Sequence, residues 1–125
     1  MSIQSSEFAI QPILCTADIG RLRSFYVELF GAEEEMRVPG EKGPFFLELR
    51  VGRARLGLVD HQAGAEAEPG RVTVAVFVDS VDDLVPQVAP AGGKVLGPAR
   101  DMPWGHRVAH ITDPDGNMLN LTQRL

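Results

Sequence analysis

Asp113-Pro114-Asp115-Gly116-Asn117 is the stretch that decides how this chain folds. Proline holds φ near about −65°, and glycine and asparagine tolerate the positive φ of tight turns. Residues 107–111 before it and 118–123 after it read as strands, so the five residues predict a loop joining two antiparallel strands. Asp101-Met102-Pro103-Trp104-Gly105-His106-Arg107 leads into the first of these strands.

The rest of the composition narrows the class. A chain of 125 residues has the commonest size of a single domain and can bury a full core. Hydrophobic residues make up 44% and charged residues 23%, which argues against disorder. The net charge of −5 argues against nucleic acid as a partner, because phosphate binding needs a basic face. A cationic small ligand suits that sign. Cys15 is the single cysteine, which excludes an intrachain disulfide and a cysteine-based zinc cluster. Residues 1–7 are short and polar, and no apolar run reaches membrane-spanning length. A soluble cytoplasmic protein without a membrane partner is expected.

A faint internal repeat runs through the chain. Asp18 and Asp79 each close an apolar run and stand 61 residues apart, as do Gly31 and Gly92 further on. Each half reads strand, Asp, helix, Gly, then further strands. In residues 19–30, Leu22, Phe25, Tyr26, Leu29 and Phe30 fall at the spacing of one helix face, and Gly31 supplies the stop. Ser80 and Asp83 suggest a cap for a second helix. Pro86 and Pro90 predict that it is short or kinked and starts late. Strands alternate with period two: Phe45, Leu47, Leu49 and Val51 oppose Phe46, Glu48 and Arg50, and Leu56 and Leu58 oppose Arg55 and Gly57. In residues 72–78 the valines take one face and Thr73, Ala75 and Phe77 the other. Sheets with one half-polar face need a facing module.

The final hairpin resembles that of the vicinal oxygen chelate superfamily, which includes glyoxalase I, bleomycin resistance proteins and extradiol dioxygenases. The resemblance covers about Phe8 to Gln123. It implies an α+β fold of two βαβββ modules whose curled mixed sheets surround a concave cavity. Module 1 would span about 8–60 and module 2 about 71–123, joined by a linker at 61–70 rich in Ala, Glu, Gly and Pro. Small members form the cavity across a homodimer, so a homodimer is expected. The family's metal ligands are a His or Gln on the first strand of each module and a Glu on the last. Here those positions fall on Gln11 and Thr73, and on about Gly57 and Asn120. Neutral amides and a hydroxyl are poor donors for divalent zinc, iron or manganese. His106 and His110 lie about 13 Å apart on a strand, too far to share an ion, and His61 reads as a solvated linker residue. Neither a metal nor another cofactor is expected.

The short, acidic chain most resembles the bleomycin resistance branch, which implies sequestration of a small molecule without chemistry. The expected ligand-binding residues are Phe46, Glu48, Trp104, His110 and Asn120. Phe46 and Trp104 would stack a planar ligand, His110 and Asn120 would hydrogen-bond it, and Glu48 would favour positive charge. Trp104 could equally brace the hairpin, and Glu48 could simply pair with Arg50 or Arg55. His110 has no partnered nucleophile, and no Gly-x-Ser-x-Gly elbow, phosphate loop or His-Glu-x-x-His pattern occurs, so no catalytic residue is assigned. The reading is a metal-independent binder of a small, cationic or partly aromatic molecule. Its alternative is a metal-dependent glyoxalase-like lyase, isomerase or dioxygenase with a non-standard site at Gln11, His110 and Asn120.

Overall fold

Two units of like topology make up the described residues, 9–60 and 72–125, of the computed structural model. The linker expected at 61–70, with His61, lies outside the described residues. The first unit comprises β1 (Ile13–Thr16), α1 (Ile19–Phe30), β2 (Glu33–Gly40), β3 (Gly43–Val51) and β4 (Ala54–Asp60). The second comprises β5 (Thr73–Phe77), α2 (Val81–Val88), β6 (Lys94–Val95), β7 (Arg100–Asp101), β8 (His106–Thr112) and β9 (Met118–Arg124). The first sheet has the order β1-β4-β3-β2 and the second β5-β9-β8-β6, with β7 also on β8. In both, the opening strand runs parallel to the closing one and the remaining pairs are antiparallel. The two sheets stay separate and are not closed into a barrel. This is the α+β, two-module architecture that the sequence implies.

α1 keeps the bounds its periodicity predicts. Asp18 caps it by accepting from the Arg21 N–H at 3.0 Å, and Gly31 ends it in the left-handed conformation at φ 65°. Leu22, Phe25, Tyr26 and Leu29 are buried along its inner face. α2 departs from expectation at its start. It begins directly after Ser80, whose Oγ accepts from the Asp83 N–H at 3.2 Å, so the cap wins over the downstream prolines. It stops early instead, at Val88, with Pro86 inside it and Pro90 just beyond. β2, written Glu-Glu-Glu-Met-Arg-Val-Pro-Gly, alternates only at Met36 and Val38, too briefly to read as a strand. It is a sheet edge with register shifts between Glu34 and Met36 and between Val38 and Pro39.

One core serves both units. Leu47, Leu49 and Leu58 from the first sheet join Ala109, Ile111, Leu119 and Leu121 from the second, with Val81 and Val88 of α2. Phe25 of α1 reaches into the second unit. A Cβ on Gly93 would lie 2.6 Å from its ring and 2.5 Å from the Thr112 carbonyl, so only glycine fits there.

The polar tie between the units is Asp113. Its Oδ1 accepts from the N–H groups of Asp115 at 2.9 Å and Asn117 at 3.0 Å. Its Oδ2 accepts from Asn117 Nδ2 at 2.8 Å and from the Tyr26 hydroxyl of α1 at 2.7 Å. Gly116 takes the positive φ of the turn, 86°, whereas Asn117 contributes its side chain instead. Burial pushes the Asp113 carboxyl above its ordinary range, against the four donors that favour its charge. Burial first, then the Asp113 carboxylate, pushes the Tyr26 phenol upward too, so it stays a donor. Outside this pair, Arg21 bridges to Asp115 at 2.7 Å.

Tyr26→Phe removes a buried hydrogen bond to a charged acceptor and is expected to lower the unfolding free energy by about 1.5–3 kcal/mol. Urea unfolding measures this; no change in midpoint would mean that Tyr26 does not hold the units together.

Candidate functional site on the open sheet faces

Because the helices cover one face of each sheet, the other face stays open. On the second sheet the shared register places Thr73, Ala75 and Phe77 of β5, Met118, Asn120, Thr122 and Arg124 of β9, and His106, Val108 and His110 of β8 on that face. His110 and Asn120 are direct partners across the hairpin, and His110 Nδ1 lies 2.6 Å from Asn120 Oδ1. With the amide oxygen as acceptor, Nδ1 is the donor of this bond, and Nε2 is the ring nitrogen left for another partner. Beside them, the Arg124 guanidinium lies 4.1 Å from the Phe77 ring centroid, and His106 meets the same ring edge-on at 5.7 Å.

The open face of the first sheet is already paired within itself. Arg50 bridges Glu33 and Glu35, and Arg55 bridges Glu35 at 3.0 Å and Glu48 at 3.5 Å. Glu48 thus stands on an inner strand with Arg55 in ion-pair reach, the second of the roles its position allowed. Phe46 lies over Gly57: a Cβ built there would sit 3.0 Å from both the Phe46 ring and Ile13 Cγ1. Among the five expected site residues, the structure brings His110 and Asn120 together. It sets Phe46 and Glu48 on the other sheet. Trp104 stands in the turn before β8, 66% exposed, and stacks on no described aromatic residue.

Two cavities border these elements. One, of about 250 Å³, lies on the open face of the second sheet against Val108 and His110, with Leu96, Arg100 and Met102 in its wall. The other, of about 650 Å³, lies between α1, the β3–β4 turn and β5. It is larger, but its wall is mainly Val51, Leu56, Val74, Val76 and Phe30; of its polar groups, Arg55 is paired with Glu35 and Glu48 and the Tyr26 hydroxyl is engaged by Asp113, which leaves Arg53 at the β3–β4 turn. Ligand sites need a few convergent polar groups, which the smaller cavity has. Sequence reasoning missed Arg100 and Met102, since β7 is too short to show a period. Arg124 and Phe77 were accessible to it, as they continue the alternation of β9 and β5.

The sequence model of the Glyoxalase/Bleomycin resistance protein/Dioxygenase superfamily matches residues 9–121. The chain belongs to this superfamily. A Mycobacterium tuberculosis protein described as a putative glyoxylase, CFP32, is 35% identical over 112 residues, covering 88% of this chain and 43% of that protein. The chain thus spans less than half of that relative's length. The crystal structure of a glyoxalase/bleomycin resistance protein/dioxygenase family enzyme from Burkholderia phytofirmans superposes with a TM-score of 0.78 at 24% identity, over 92% of this chain and 97% of that one. The fosfomycin resistance protein FosX from Listeria monocytogenes gives 0.77 at 16% identity, over 95% and 94%. At these identities the structural likeness is one of fold.

Superfamily members with a metal centre need acid and imidazole donors where this chain has Gln11, Gly57, Thr73 and Asn120. Those positions do not fit a divalent ion here. Phe46 and Ile13 crowd the space above Gly57, Asn120 Oδ1 is bonded to His110, and Thr73 lies exposed opposite Met118. Among the described residues, no three His, Cys, Asp or Glu side chains come together. The open face of the second sheet presents an imidazole, an amide, aromatic edges and cations that have no carboxylate in salt-bridge reach among the described residues.

In the long-range proton–nitrogen spectrum of the neutral ring, the His110 proton is expected on Nδ1. Asn120→Leu should return it to the Nε2–H form common in free histidine. An Nε2–H ring in the unmodified protein would contradict the assignment.

Proposed function

We propose that this chain is a metal-independent binding protein for a small, partly aromatic molecule, held on the open face of the second sheet. Sequestration of a toxic compound, in the manner of antibiotic resistance, is the role that needs no more than this. The observation carrying the proposal is the fate of the old ligand positions. Phe46 packs over Gly57 and His110 bonds Asn120, while the face around them stays open. Affinity survives such changes; metal chemistry does not.

The cover for this face is proposed to be a second copy of the chain. Ile13, Met36 and Val38 on the first sheet's open face, and Phe77 and Leu96 on the second's, are each 40% exposed or more. Apolar groups so placed are suited to a partner surface. Since Glu48 is already paired with Arg55, positive charge on the ligand is not part of the proposal.

The experiment is a thermal-shift screen of bleomycin-type and other planar drugs, followed by titration of Trp104→Ala with any hit. Trp104 is 66% exposed. The substitution should thus change stability by less than about 0.5 kcal/mol while weakening the hit by about 0.5–1.5 kcal/mol. Equal binding by the variant would remove the stacking role. Absence of any hit at the second sheet would count against the proposal itself.

A further inference from the structure

The chain carries a net charge of −5, yet the open face of the second sheet is locally positive. Lys94 shares a face with Thr112, Arg100 with Val108, and Arg124 with His106. No carboxylate stands among the residues of β5, β8 and β9 that share this face. Asp101, next to Arg100, points to the opposite face and binds Arg107 at 2.9 Å. Six other arginines, 21, 23, 37, 50, 55 and 107, each have a carboxylate within salt-bridge reach. Arg100 has none among the described residues. Arg124 is turned onto Phe77.

Arg100 lines the cavity of about 250 Å³ together with His110, and Leu96, Pro98, Met102 and Val108 give that cavity an apolar body. Its volume falls below the ~300–1,000 Å³ of drug-sized pockets, so it suits a fragment-sized molecule or one arm of a larger one. Arg100 pairs with Val108, two residues from His110 on the same face, which makes Arg100 and His110 diagonal neighbours at about 7–8 Å. A guanidinium presents a planar fork that matches a carboxylate with two parallel hydrogen bonds. With Nδ1 donating to Asn120, His110 Nε2 is the nitrogen placed to accept one O–H or N–H.

Resting on the binding role proposed above, and naming its ligand class, we infer that this cavity binds a small carboxylate. Its anionic group sits on Arg100, a hydroxyl or amine of the same molecule donates to His110 Nε2, and its apolar body lies against Leu96, Met102 and Val108.

The test is a titration of the full chain with 3-hydroxybenzoate, benzoate and 3-hydroxybenzamide, followed through the amide signals of Val108, His110 and Trp104. The expected result is saturable binding of 3-hydroxybenzoate, at least about ten-fold tighter than the uncharged amide and about three-fold tighter than benzoate. Arg100→Gln should erase the preference for charge, and Lys42→Gln, in the turn between β2 and β3, should leave it intact. Equal binding of acid and amide, or an unchanged preference in Arg100→Gln, would overturn the inference. So would weaker self-association of Arg100→Gln with 3-hydroxybenzoate binding unaltered, which would give Arg100 to a carboxylate of a second copy. If screened drugs move the His110 and Trp104 signals while no carboxylate does, the carboxylate assignment falls and the broader binding role stands. If nothing moves them, both fall.

Discussion

The structure depends on one carboxylate. Asp113 gathers two backbone donors and the Asn117 amide from its own turn, and the Tyr26 hydroxyl from the helix of the other unit. A buried carboxylate without donors would be costly, and with four it becomes a fixed point. It sets the hairpin of β8 and β9 and at the same time seats α1 against the second unit. Phe25 entering the space left by Gly93 completes that seat with apolar contact. The two units therefore share one core on their helix sides, and both sheets are left with a face turned away from it.

What those faces carry follows from strand alternation, and they differ in kind. On the first sheet, Glu33, Arg50, Glu35, Arg55 and Glu48 form a chain of ion pairs. Such exposed pairs add little stability, but they leave few free charges for a ligand. On the second sheet the charges are cations without acids, set beside an imidazole, an amide and the Phe77 ring. On the binding role proposed above, this asymmetry favours recognition by the second unit. The first supplies Phe46 and the exposed Ile13, Met36 and Val38.

Much of this was legible in the residues. A five-residue loop from Asp113 to Asn117 makes residues equidistant from it partners, so His110 opposite Asn120 was implied once the turn was read. The periodicity of α1 and the glycine at its end fixed both of its bounds. Three features escaped, each for a physical reason. β2 is a charged edge strand with shifted register, stabilised by its neighbour rather than by its own pattern. The start of α2 was a contest between a serine cap and a proline six residues further on; the cap sets the start, and the proline shortens the helix instead of delaying it. β7 has two residues, too few for a period, so Arg100 stayed hidden until its pairing with Val108 brought it beside His110. Phe46 was placed on the right face, but its packing over Gly57 depends on a missing Cβ and on cross-strand geometry that no linear pattern encodes.

The central claim is that the positions which hold a metal in related enzymes have become packing and hydrogen-bonding positions. Elemental analysis of the protein, purified without chelator and then dialysed against zinc, manganese, iron and nickel, tests it most directly. The account predicts far less than one divalent ion per chain and an unchanged melting temperature with EDTA. One tightly held ion per chain, with stability or turnover lost on its removal, would contradict it.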